Sequence, residues 1–155
     1  MSLYSNVRTD LTQDDPVEFV KANQLGGTVR VAHATFEASS QAAGTIEMFA
    51  LPDGAKIVSG RVCYDALGSG TTVAVGHAAY TNSSGSAVTA ANAYFKAGAA
   101  STSAQCVDCA NTLALGANSE VAIDETVAGN EFVVTVTTTG TTTGTIELTM
   151  FYVVA

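Results

Sequence analysis

From residue 28 onward, apolar and polar side chains alternate with a period of two, the period of a strand with one buried face. Residues 28–37 (TVRVAHATFE) place Val29, Val31, His33 and Thr35 on one side and Arg30, Ala32, Ala34 and Phe36 on the other. Residues 44–51 (GTIEMFAL) make a second run, which ends at the strong turn signal Pro52-Asp53-Gly54. Residues 55–67 predict a long strand with Val58, Val62 and Tyr64 on one face, and Gly68-Ser69-Gly70 turns the chain into 71–80. Residues 119–125, 130–139 and 144–154 predict three more strands. The last puts Ile146, Leu148, Met150, Tyr152 and Val154 on one face, with Thr145, Glu147 and Thr149 opposite. Short β-branched runs spaced by glycine-rich turns indicate an all-β fold, an antiparallel β-sandwich or barrel.

Two stretches depart from this period. Residues 1–27 carry isolated apolar side chains and the charges Arg8, Asp10, Asp14, Asp15, Glu18 and Lys21, and end in Gly26-Gly27. They are read as an N-terminal arm on a flexible joint, ahead of a sandwich domain at 28–155. Residues 86–105 are rich in Ala, Ser and Asn. Ala90, Ala93 and Ala97 recur at helical spacing and Gly98 follows, which predicts a long loop carrying a short helix over 89–97. Gly-Thr-Ile-Glu occurs at 44–47 and at 144–147, in both cases opening an apolar strand, and no longer repeat accompanies it.

Composition changes the picture in one respect. Only 13% of residues are charged, about half the usual ~25%. A domain that leaves charge off its surface is expected to bury much of that surface against other proteins. The formal net charge is −8, with six basic residues scattered singly. Direct nucleic-acid binding and attachment to an anionic membrane are excluded on that ground. The start of the chain lacks a basic segment followed by an apolar one, and no apolar run approaches the ~18 residues of a membrane span. A protein made and folded in a cytoplasm is the expectation.

The chemistry-bearing residues are few. Cys106-Val107-Asp108-Cys109 has the spacing of half a zinc site or of a redox centre. Only Cys63, His33 and His77 offer to complete a metal site, and no βαβ pattern supports a redox fold. The thiols of Cys63, Cys106 and Cys109 are therefore expected to be free and metal-free. No serine sits in a G-x-S-x-G elbow and no phosphate-binding loop is present. Asp14-Asp15 and Asp124-Glu125 are read as solvated turns. No cofactor and no enzymatic activity are expected.

The segment Leu51-Pro52-Asp53-Gly54-Ala55-Lys56-Ile57, the step Leu67-Gly68 to Gly76, and the closing Gly144-Thr145-Ile146-Glu147-Leu148 with Phe151-Tyr152-Val153 together resemble small structural proteins of tailed bacteriophages. Some members of that group are capsid cement or decoration proteins. The resemblance spans roughly residues 28–154 and implies a jelly-roll fold and a place on the virion capsid surface. It also implies the major capsid protein as partner and a homo-oligomer, most simply a trimer on a threefold of the shell. It carries over no functional residue. Candidates for capsid or subunit contact come from the arm (Leu3, Tyr4, Val7, Leu11 and Phe19) and from the 86–105 stretch (Tyr94 and Phe95). A carbohydrate- or receptor-binding virion module and a head–tail or tail component are the alternative roles.

Overall fold

The computed structural model describes residues 28–110 and 120–154. Its strands are β1 (Val29–Gln41), β2 (Gly44–Leu51), β3 (Ala55–Tyr64), β4 (Thr72–His77), β5 (Tyr80–Thr81), β6 (Ala87–Val88), β7 (Ala91–Ala100), β8 (Gln105–Cys109), β9 (Phe132–Thr139) and β10 (Thr142–Val154). Two four-stranded antiparallel sheets have the orders β1-β10-β3-β8 and β2-β9-β4-β7, and β5-β6 is a separate small hairpin. The pairings nest: β1 with β10, β2 with β9, β3 with β8, β4 with β7. That is the topology of one long hairpin rolled up on itself, the jelly roll.

The core lies between the sheets. In β10, Ile146, Leu148 and Met150 are fully buried, and Tyr152 and Val154 pack against the same cluster, as the alternation requires. Val62 lies beside them, opposite Leu148 in the same sheet, and Val73, Val75, Val134 and Val136 meet them from the facing sheet. Each such side chain contributes roughly 1.5–3 kcal/mol on burial. In β1 the inward side is Ala32, Ala34, Phe36 and Ala38, so Val29 and Val31 point outward.

Three expectations are corrected. Residues 89–97 form no helix: the segment enters β7 and pairs with β4. Its alanines favour a helix locally, but burial of Phe95 in the core outweighs that small preference. Of the strand expected at 119–125, the described residues 120–125 form none. From Glu120 they make only isolated bridges, Lys56 to Glu120 and Asn82 to Ile123, and Val121 binds the 52–55 turn through Gly54 and Ala55. Val58 does not share a face with Val62 and Tyr64. Phe151 is opposite Ser59 and Tyr152 is opposite Ile57, so Val58 is the extra residue of a β-bulge and is 57% exposed.

Candidate contact surfaces

Leu3, Tyr4, Val7, Leu11 and Phe19 lie outside the described residues. Tyr94 and Phe95 both lie in β7 and have different fates. Phe95 is 1% exposed and belongs to the core, so it is not a surface contact. Tyr94 is partly buried in an aromatic cluster at the end of the sandwich. Its ring is 5.1 Å from that of His77, which lies 5.5 Å from Tyr80 and 5.2 Å from Phe132. Most of these pairs meet edge to face, the arrangement the ring quadrupoles favour.

The cluster walls a part-enclosed cavity of about 320 Å³, to which Asn82 and Glu120 also contribute. His77 is buried, and its Nδ1 lies 2.8 Å from the Ala78 carbonyl oxygen. A carbonyl only accepts, so Nδ1 is the donor in this hydrogen bond. Burial raises the Tyr94 hydroxyl pKa, and the neighbouring Tyr80 adds to the effect.

A second surface is the outer face of the β1-β10-β3-β8 sheet. Five large hydrophobic side chains are exposed among the described residues, and four of them, Val29, Val31, Val58 and Phe151, belong to this sheet. Val31 is directly opposite Phe151, whose neighbour across β3 is Ser59, beside the bulged Val58. Further along, the face turns polar: His33 Nδ1 lies 2.9 Å from Thr149 Oγ1, and Thr145 Oγ1 donates to Glu37 at 2.7 Å. The sequence carries one sign of this surface, because β1 has apolar residues at both parities: Val29 and Val31 out, Ala32 and Phe36 in.

The cysteines correct a further expectation. Cys63 and Cys106 are not free; they form a disulfide. They are directly opposite in the β3–β8 register with Cα atoms 4.0 Å apart, the closer kind of antiparallel pair. Cys109 is three residues beyond Cys106 on the same strand and therefore points to the opposite face. It is a buried free thiol in the core. Extended backbone thus separates the two sulfurs of the C-x-x-C segment, which a shared metal or redox pair would need side by side. Burial, reinforced by Asp108, pushes the Cys109 pKa from 9.0 to about 12. Among the described residues, no three His, Cys, Asp or Glu side chains gather as a metal site would require.

No protein-family model matches the chain, and no curated protein does. Solved structures do. A chain of the cyanophage Pam1 capsid asymmetric unit matches with a TM-score of 0.59 and 13% identity, covering 93% of this chain and 97% of that one. A chain of the capsid of Ralstonia phage GP4 matches with a TM-score of 0.56 and 19% identity, covering 90% and 93%. At these identities the likeness establishes a common fold.

Proposed function

We propose that this protein is a structural component of a tailed-phage virion, a cement or decoration protein seated on the outer surface of the capsid. The observation that carries the reading is the match to chains of two phage capsids over at least 90% of this chain and 93% of theirs. The correspondence therefore runs over nearly the full length of both compared chains. The charge-poor composition and the exposed Val29, Val31, Val58 and Phe151 support a protein that works against other proteins. Its partner in this reading is the major capsid protein, and the copies associate as trimers at threefold positions. Residues 1–25 of the arm are a principal anchor in this reading.

The mechanism is linkage. A protein that binds only the closed shell stabilises that state by its binding free energy, and many copies make a modest energy per copy sufficient. Acidic charge suits the outer surface better than the side facing packaged DNA.

The test uses capsids of the encoding phage that lack this protein. The full chain is expected to co-sediment with them and to raise the temperature at which they lose DNA. A truncation lacking residues 1–25 is expected to fold but bind more weakly. Absence of binding by the full chain, together with absence of its density from the virion by cryo-electron microscopy, overturns the reading.

A further inference from the structure

The outer face of the β1-β10-β3-β8 sheet carries an apolar patch that the sandwich itself does not require. Val29, Val31 and Val58 are each more than half exposed, and Phe151 more than a third. The register groups them: Val31 is opposite Phe151, and Phe151 is opposite Ser59, beside the bulged Val58. Solvent-facing positions of an antiparallel sheet are normally polar, as His33, Thr149 and Glu147 are further along the same face. A group of apolar side chains at such positions marks a contact surface.

The size of the patch decides between kinds of occupant. Four side chains exposed to this degree offer on the order of 300 Å² of apolar surface. A stable contact between two folded proteins takes about 800 Å² from each, so a second copy laid face to face would be held by too little. One phenylalanine and one valine of a short segment supply about the area needed.

Such a segment lies close by in the chain. The described residues begin at Thr28, and Val29 is a corner of the patch. Upstream stand Val17 and Phe19, on one side of an extended segment, with Glu18 on the other and Asp14 and Asp15 before them. The nine residues from Phe19 to Thr28 reach about 30 Å when extended. From β1 across β10 to β3 the patch spans two strand spacings, about 10 Å. Gly26-Gly27 permit the reversal that a return over the sheet needs.

Charge favours the same place. Lys56 is opposite Val153 and Arg61 is opposite Thr149, so the two flank the patch along β3. The nearby carboxylates are Asp108, opposite Arg61, and Glu120, bridged to Lys56, and the four charges cancel. The far end of the face carries Glu37 and Glu147. On a chain of net charge −8, an acidic segment therefore meets less repulsion at the patch than beyond it.

We propose that the patch is the seat of the chain's own residues 17–19, folded back over β1 and β10 so that Val17 and Phe19 cover it in the free protein. A segment tethered this closely has an effective concentration in the millimolar range, so a modest contact suffices and the chain's own segment outcompetes that of another copy. The seat belongs to the free chain and is independent of any later anchoring of the arm on a shell.

The test is NMR of the isolated full chain with labelled valine methyls and phenylalanine rings. Nuclear Overhauser contacts from the Phe19 ring to the Val31 and Val58 methyls are expected. They are expected to vanish when a mixture of labelled and unlabelled chains is filtered for contacts between copies. Phe19→Ser is expected to remove them and shift the Val29, Val31 and Val58 signals, while Leu3→Ser leaves both as in the parent. Circular dichroism identical to the parent confirms that each variant is folded. Absence of Phe19 contacts to the patch overturns the proposal. Contacts that survive the filter overturn it in favour of exchange of the segment between copies. An equal response to Leu3→Ser also overturns it, because the effect is then not that of one seated segment.

Discussion

Gly76 and Ala91 occupy the space that a side chain would need: a Cβ on Gly76 would collide with the Ala91 carbonyl oxygen and the Asn92 backbone. Here β7 bulges against β4, pairing Ala91 with His77 and then Lys96 with Val75. Both clashing groups are backbone, so neither can rotate away. Gly76→Ala is expected to destabilise the fold by about 2–4 kcal/mol. Gly54→Ala, at a turn with φ of 71° and nothing within 4 Å, should cost only about 1 kcal/mol. Urea midpoints of the two variants would check the order.

The Cys63–Cys106 bond closes a loop of 43 residues and ties the edge strand β8 to β3. Chain-entropy arithmetic gives about 4 kcal/mol for a loop of that length. Reduction, or the double change Cys63→Ser with Cys106→Ser, should lower the unfolding midpoint accordingly. Non-reducing mass analysis with thiol alkylation should find one modified cysteine per chain after denaturation, Cys109, and none in the native state. Two or three modified thiols in the unreduced native protein would contradict the pairing.

Cys109 makes stability sensitive to alkali. Its folded pKa is raised from 9.0 to about 12, so the folded state holds a proton that the unfolded state releases. The contribution is complete below pH 9 and is lost progressively as pH rises towards 12. Cys109→Ala should flatten the fall in stability over that window, although it lowers stability at pH 7 by leaving a small cavity. Tyr64 and Tyr94 are also raised by burial and remain in the variant, so some alkaline loss will persist.

Thr135 and Thr138 bury hydroxyl oxygens that have no hydrogen-bond partner among the described residues. Valine has the same shape without the unpaired oxygen. Thr138→Val is expected to raise stability by about 1 kcal/mol, and Thr135→Val by a similar amount. Calorimetry of each variant reads this as a higher midpoint. A lower midpoint for both would mean that each hydroxyl has a partner.

Where strands keep an unbroken register, side-chain parity alone assigns the faces. β10 is the clear case: Ile146, Leu148 and Met150 face the core as the alternation predicts. β3 defeats the same reasoning, because a single bulged residue, Val58, inverts the parity on one side of it. β7 defeats it differently. Alanine spacing suggests a helix, and only the partner strand and the Phe95 site in the core show why the segment is extended. The cysteine pairing depends on which residues of β3 and β8 sit opposite each other. That register joins residues 43 apart in the chain, so nothing local marked the pair and all three thiols read as free. The aromatic cavity likewise joins His77, Tyr94 and Phe132 from three strands, with no local motif to announce it.

The rolled hairpin gives the molecule two unequal ends. Val29 is opposite Val153, so the described chain enters and leaves at the same end, together with the 52–54 turn and the aromatic cavity. The other end is closed by the connections 42–43, 65–71, 101–104 and 140–141, and the Cys63–Cys106 bond lies towards it. A tag fused to Ala155 therefore crowds the same end as the cavity and the exposed valines. A peptide inserted at 140–141 would stand roughly 40 Å away, the length of a 13-residue strand such as β10. For display of cargo or placement of a fluorophore, that turn is the position that leaves the cavity end clear.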